Sequence, residues 1–507
     1  MPGRCAVIAA QWPALSAGRS ERVLTAQGAV GDLALLARVE RLAGLLDSLG
    51  LQRIASRLDN GVEWLVLDLA IRHLGGAHVP LPTFFSDEQV AHALASSAAQ
   101  AMLVAEGAGA RPGTRSLAPL LAGTGLSGWA LEHAELALPA GTACVTYTSG
   151  TTGRPKGVCL DAPALMTVAG SLVEASARIA PQRHLCLMPL STLLENVAGL
   201  YATLLADAQI ALPSLAEIGY TGASGLDVPS LLRCLHRYQP QSVILVPQLL
   251  LALVMAAEQG APLPSSLRYL AVGGGRVGPG LLARAQALGL PVFEGYGLTE
   301  CASVVCLNRP DAARTGSVGQ PLPHAQVDID DGEILVHGVK ALGYLGGETL
   351  APGPIRTGDL GHIDEAGFVH VTGRRKNVFI TAFGRNVSPE WVESELLSHP
   401  ALAQAVVWGE AQADNVAVLW PRRPDLDAAA IARALAEVNA GLPDYARVAR
   451  FVRADAPFSA ADGLMTANGR PRREAILARY QAQVDAAYRN PLNVPATGVS
   501  PCASTTP

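Results

Sequence analysis

The sequence predicts an α/β fold: a large N-terminal domain of layered α/β subdomains with a β-rich subdomain, then a small α+β C-terminal domain. Three observations predict it. Short apolar runs alternate with helix-period segments over roughly the first 300 of the 507 residues, the rhythm of layered, largely parallel sheets. Beyond Thr315 the pattern turns to period-two strands. Near Thr372–Lys376 a Gly-Arg-Arg-Lys run interrupts the apolar runs and marks a boundary.

The elements follow in order. Leu185–Leu190 reads as an apolar run, Glu195–Ala206 as a helix and Gln209–Leu212 as a strand. Helix Pro229–Tyr238, strand Ser242–Val246, helix Gln248–Glu258 and strand Leu267–Val272 come next, and Gln326–Ile329 with Gly332–His337 form the β-rich part. The C-terminal domain has strands near Ala403–Trp408, Val416–Trp420 and Val448–Val452 and a helix at Asp427–Val438. The expected divisions are 1–373, 374–485 and a Pro/Ser/Thr-rich, disordered tail over 486–507.

Composition narrows the function. With half the residues apolar and 16% charged, the chain is globular. A net charge of -5 offers no basic field for nucleic acid. No apolar run reaches the roughly 20 residues of a membrane span, and Leu249–Ala257 reads as a buried helix. Arg4 is not followed by a long apolar segment with a cleavage site, so a cytoplasmic location is expected. The eight cysteines include no Cys-x-x-Cys pair, and reduced structural thiols are expected.

The strongest chemical signal is Tyr147-Thr-Ser-Gly-Thr-Thr-Gly-Arg-Pro-Lys-Gly-Val158. An apolar run feeds a loop of hydroxyls and glycines, then a single lysine, which together solvate a polyphosphate. The usual P-loop ends Gly-Lys-Ser/Thr, whereas Lys156 is followed by Gly157. Lysine is rare here: Lys156, Lys340 and Lys376 are the only three among 38 basic residues. Further on, Glu294-Gly-Tyr-Gly-Leu-Thr-Glu300 offers two glycines for close backbone approach, a flat tyrosine face for a purine and a hard oxygen for Mg²⁺. Gly273-Gly-Gly275 ends a strand and leaves room for something flat. Asp359, in Arg356-Thr-Gly-Asp, suits a ribose diol.

In length and order these motifs resemble those of the adenylate-forming superfamily: acyl-CoA synthetases, luciferases and nonribosomal peptide adenylation domains. The likeness runs from about Asp32 to Tyr480. It implies ATP and Mg²⁺ as cofactors, a small-molecule carboxylate as substrate, and CoA or the phosphopantetheine of a separate acyl-carrier protein as acceptor. It assigns Thr148, Ser149, Gly150, Thr151, Thr152, Gly153 and Lys156 to the phosphates, with Thr151 and Glu300 on the metal. Gly274, Gly275, Glu294, Gly295, Tyr296 and Gly297 would bind the nucleotide, Tyr296 stacking on adenine and Thr299 contacting the α-phosphate. Asp359 would hold the ribose, and Arg374 would contact the ribose and the phosphates. Lys376 stands at the hinge position, and Gly384 in the loop for the thiol step; Pro389 and Glu393 keep the same register.

Met188-Pro-Leu-Ser-Thr-Leu-Leu-Glu195 resembles a segment of the long-chain acyl-CoA synthetases in which Thr192 is a histidine. Thr192 and Gly273 are thereby placed at the acyl pocket, and a fatty acid is the expected substrate. The Phe-Asp pair that holds a substrate ammonium in amino-acid adenylation domains is absent. Arg470, in Asn-Gly-Arg470, departs from the family lysine that bridges carboxylate and α-phosphate. Arginine keeps the charge but spreads it over a planar fork. Two readings stay open: Arg470 does the lysine's work, or the protein binds nucleotide or acyl-adenylate with adenylation weak or lost. An aryl or amino acid substrate is a further alternative.

Overall fold

The computed structural model describes residues 12–108, 114–132, 138–148, 156–221, 225–347, 350–466, 469–490 and 493–494. The chain divides into two compact units. The first holds the residues up to Gly275, then Ala285–Thr357 and His362–His370. The second holds Arg276–Arg284, Gly358–Gly361 and everything from Val371 on.

Two sheets organise the first unit. The seven-stranded sheet runs, in spatial order, Gly343–Tyr344, Lys156–Asp161, Thr142–Thr148, Ala77–Pro80, Arg53–Arg57, Ala101–Ala105 and Leu126–Ala130. The nine-stranded sheet has six parallel strands at its centre: Val292–Leu298, Tyr269–Val272, Ser242–Leu245, Arg183–Leu185, Gln209–Ala211 and Val23–Thr25. Ser242–Leu245 and Tyr269–Val272, at the middle of the row, are largely apolar and buried, as strands covered on both faces are. Intervening helices start where the sequence provides caps. Asp161 accepts from Ala164 N, Asp227 from Ser230 N, and Ser86 with Gln89 forms a capping box. In the β-rich part, Ala325–Asp330 and Glu333–Gly338 pair antiparallel through Asp331-Gly332, both at positive φ as a two-residue hairpin turn requires.

Two of these segments are less regular than their patterns alone convey. The apolar run Leu185–Leu190 is a strand only to Leu185; Pro189, with no N–H for a ladder, lies in a loop. Glu195–Ala206 begins as a π-helix, Glu195–Tyr201, and becomes α-helical only over Ala202–Leu205. Glu195 is fully buried, with its carboxylate accepting from Met188 N (2.8 Å) and lying 2.9 Å from His184 Nε2. A Cβ on Gly199 would stand 2.0 Å from that carboxylate, so the wide turn and the glycine both make room for it.

The second unit is a three-stranded sheet, Leu402–Trp408, Asn415–Pro421 and Val448–Arg453, buried on both faces. Alternation sorts its side chains. Ala405, Val407, Ala417 and Leu419 pack with helices Pro389–Ser398 and Ala428–Asn439. Val406, Val416 and Val418 meet Ile476, Tyr480 and Val484 of helix Arg473–Arg489. That helix runs past the expected start of a disordered tail at 486. Beyond it, the Asn493 amide donates to Phe451 O and accepts from Phe451 N, both at 2.9 Å, covering the sheet's edge, and Val494 is buried. Residues 491–492 and 495–507 lie outside the described set. Among the described residues no helix is long and apolar enough to cross a membrane. The six described cysteines are buried and unpaired; burial pushes the Cys144 thiol up to about 12 and Cys159 to about 11.

Candidate nucleotide and acyl site

In an open parallel sheet, ligands bind beyond the carboxyl ends of the strands, where the strand order reverses. The reversal falls at Arg183–Leu185: the next strand in sequence, Gln209–Ala211, lies on one side of it and Ser242–Leu245 on the other. The loop Met188–Leu194 leaves from that end. Asn60 pins it, donating to Met188 O (2.9 Å) and accepting from Leu190 N (2.8 Å), while Glu195 holds Met188 N from below. The Thr192 hydroxyl donates to Pro189 O at 2.6 Å, closing the turn on itself.

The glycines predicted to admit a flat ligand lie along the same ends. Gly273 follows Tyr269–Val272, and its Cβ position is 3.5 Å from Gly295 O, so the two glycine segments run side by side. Gly274 (φ 76°) faces Val246 and Leu194, and Gly275 faces Pro247. A Cβ on Gly297 would stand 1.9 Å from Ser303 O, beside the bulge between Tyr296 and Gly297, which only glycine allows. Glu294 is buried and Tyr296 half-buried. A separate cleft of about 360 Å³, lined by Gln52, Gly76, Gln100 and Thr142, opens at the amino ends of the other sheet's strands, the wrong ends for this purpose.

Lys156 opens the strand Lys156–Asp161 opposite Thr148, whose hydroxyl donates to Lys156 O at 3.3 Å. Ser149, Gly150, Thr151, Thr152 and Gly153 lie outside the described residues. The Lys156 ammonium is 3.6 Å from the centre of the Tyr344 ring. The Tyr344 hydroxyl donates to Glu300 Oε1 at 3.1 Å. Thr299 and Glu300 sit in a 3-10 turn, Thr299–Cys301, followed by Ala302 and Ser303 at φ 59° and 116°. Positive φ at two non-glycine residues is a costly backbone, held here by the strand that follows.

The remaining residues singled out in the sequence lie in the second unit. Asp359, buried, accepts from Arg374 Nε at 2.8 Å, and Arg375 N donates to Gly358 O. Lys376 follows directly. Gly384 (φ 71°) turns the short hairpin Phe379–Ile380 and Asn386–Val387, beside the exposed Phe383. Arg470 is exposed, its N–H donating to Thr466 Oγ1 (3.0 Å) and its C=O accepting from Thr466 N (2.7 Å). Glu393 is buried against Arg473 and accepts from Val407 N at 2.7 Å, a role in the unit's core.

The structure adds Tyr344, Asn60 and His184, which sequence reasoning missed. Asn60 and His184 act across 130 and 11 residues on separate elements, which no local pattern reveals. For Tyr344 the one signal was the Gly343-Tyr-Leu-Gly346 run.

The model of the AMP-binding enzyme family matches residues 34–353, and that of the AMP-binding enzyme C-terminal domain matches 376–491. The chain belongs to the AMP-binding enzymes. Relatives of this AMP-binding enzyme include the long-chain-fatty-acid–CoA ligase FadD15 of Mycobacterium bovis, 28% identical over 87% of this chain and 89% of the relative. The 2-succinylbenzoate–CoA ligase of Bacillus cereus is 30% identical over 71% of this chain and 75% of its own length. Among solved structures, the o-succinylbenzoate CoA synthetase MenE of Bacillus subtilis with its acyl-adenylate OSB-AMP superposes with a TM-score of 0.73. It is 25% identical and covers 93% of this chain and 97% of its own. The same synthetase with ATP and a magnesium ion gives 0.70, at 25% identity over 93% and 98%. The AMP-binding enzyme is thus an AMP-forming acid–thiol ligase of the acyl-CoA synthetase kind.

Proposed function

We propose that this AMP-binding enzyme activates a fatty acid with ATP to an acyl-adenylate and transfers the acyl group to a thiol, CoA or a carrier protein's phosphopantetheine. The observation that carries the reading is the meeting of a cation, Lys156, and a hard carboxylate, Glu300, on one tyrosine. Lys156 would balance the triphosphate as pyrophosphate leaves, together with the hydroxyls of Thr148, Ser149, Thr151 and Thr152. Tyr296 would stack on adenine, with Gly274, Gly275, Gly295 and Gly297 letting backbone approach it. Asp359, held by Arg374, would accept from the ribose.

Glu300 fits Mg²⁺: it offers carboxylate oxygens, the donors this ion prefers, half-buried and oriented by a neutral hydroxyl. When bound, the ion supplies charge neutralisation to the phosphates. Arg470 would orient the substrate carboxylate, its two-pronged guanidinium spanning carboxylate and α-phosphate oxygens. Lys376 as hinge and Gly384 as the thiol-step loop belong to the same proposal.

A fatty acid is favoured by the likeness to the long-chain ligase over most of the chain and by Leu194 and Val246 beside Gly274. An aryl acid is the second reading, favoured by the 2-succinylbenzoate–CoA ligases, which are slightly more identical over a shorter stretch. The test is carboxylate-dependent pyrophosphate release from Mg·ATP across fatty, aryl and amino acids, with hydroxylamine as trap. Turnover with fatty acids is expected. Turnover confined to aryl acids would replace the substrate, and silence with ATP still bound would leave a nucleotide binder.

A further inference from the structure

Tyr344 touches both groups on which the proposed chemistry depends. Its strand, Gly343–Tyr344, is two residues long and pairs with the strand of Lys156, Tyr344 opposite Val158. Leu342 N and Leu345 N donate to Cys159 O and Gly157 O, both at 2.9 Å. The segment also packs closely on Gly157, where a Cβ would stand 2.3 Å from Leu345 Cδ1. At the other end of the segment, Ala341 N donates to Glu300 O at 2.7 Å. Backbone hydrogen bonds therefore tie residues 341–345 to Glu300 and to the strand of Lys156 before any side chain is considered.

The side chain repeats the bridge, with ring to ammonium at 3.6 Å and hydroxyl to carboxylate at 3.1 Å. A lysine and a glutamate left close together gain by pairing directly, and each then loses field at the ligand it should meet. A tyrosine avoids this. Its face attracts the ammonium and its hydroxyl donates to the carboxylate, yet it carries no charge to neutralise either. We propose that Tyr344 is a positioning residue that holds Lys156 for the phosphates and Glu300 for the metal ion, so that ATP and Mg²⁺ are bound as one unit. This rests on the reading of Lys156 and Glu300 given above.

The test is calorimetric titration of the full chain with ATP, in EDTA and in MgCl₂, which needs no turnover. Tyr344→Phe keeps the ring and removes the hydroxyl; Tyr344→Leu removes both. Tyr344→Phe should bind ATP in EDTA like the native chain but lose about tenfold of the Mg²⁺-dependent gain, the size of a hydrogen bond to a charged group. In a Glu300→Gln background it should change nothing further. Tyr344→Leu should in addition weaken binding in EDTA by about threefold, and not when Lys156 is already Met. Additive effects in those backgrounds, or native binding by both tyrosine variants, would overturn the proposal while the site reading stands. If the native chain bound no ATP, or Lys156→Met and Glu300→Gln bound Mg·ATP normally, the site reading would fail and this proposal with it.

Discussion

Two polar clusters in the first unit are built from similar parts, and we assign them opposite roles. One is Lys156, Tyr344 and Glu300. The other is Ser56, His78 and Asp68, where Ser56 Oγ lies 2.8 Å from His78 Nε2 and His78 Nδ1 lies 2.8 Å from Asp68 Oδ1. On distances alone the second is a serine–histidine–carboxylate relay. Yet Ser56 and His78 are 0% exposed and Asp68 2%, closed off from solvent. Asp68 is further tied to Arg72 (3.1 Å) and to the Tyr201 hydroxyl (2.6 Å). Lys156, Tyr344 and Glu300 are half-buried at strand and turn ends. Access, more than residue type or spacing, separates a reactive cluster from a structural one.

Removing the charge at Asp68 should sharpen this contrast most. Asp68→Asn leaves Arg72 buried beside neutral partners, and breaking a buried pair in this way costs about 3–5 kcal/mol. Chemical denaturation should show that loss, while adenylation per folded molecule stays near native. The pH dependence has a definite sign. Burial alone pushes the Asp68 carboxyl up, but Arg72, His78 and Tyr201 outweigh it and hold it well below the usual carboxylate range. The folded state therefore takes up the proton less readily than the unfolded chain, whose value is about 4. The contribution is complete above that pH and is lost as pH falls toward the depressed folded value. Asp68→Asn should flatten the acid limb of the stability profile; an unchanged limb would show that other carboxylates govern it.

The cluster proposed to bind Mg·ATP should respond the other way round. Lys156→Met is expected to lower kcat/KM for pyrophosphate release by roughly 10²–10³, the worth of one preorganised electrostatic group, with Tm within a degree or two of native. A large fall in Tm with normal activity per folded molecule would move Lys156 into the structural class. Arg470→Ala should cost less, about 10²-fold. Arg470 is exposed on a turn, so stability should be unaffected. Arg470→Lys should recover activity if a compact charge suffices, and adenylation unchanged in Arg470→Ala would remove the role altogether.

How far these features were legible in the sequence follows the same division. Strands such as Ser242–Leu245 and Leu402–Trp408, and the helix Ala428–Asn439, were readable because period and caps are local. The glycine segments Gly273–Gly275 and Gly295–Gly297 were readable as motifs, since a backbone that must come close leaves glycine at a defined spacing. The π-helical turn at Glu195 was not, because it is set by His184 and Met188 N, contacts that form only when strand and loop fold over it. The Asn493 clamp on Phe451 was hidden in the same way inside a stretch whose composition suggests disorder. Ser56, Asp68 and His78 show the converse. They are unremarkable in sequence, and only the register of Arg53–Arg57 against Ala77–Pro80 brings two of them together.

The smallest effect tests the contrast at its finest point. Ser56→Ala removes the hydroxyl at the end of the buried relay and leaves His78 Nε2 without that partner. One lost hydrogen bond with a buried group left unpaired should cost about 1–3 kcal/mol. If the cluster is structural, that loss appears in denaturant unfolding, and pyrophosphate release and its pH profile stay native. His78→Phe, apolar and larger, would cost more by overpacking a full core, so the serine variant is the cleaner probe. A change in the pH profile of Ser56→Ala without loss of stability would mean that the relay communicates with the reacting groups, and burial would no longer be enough to tell the two clusters apart.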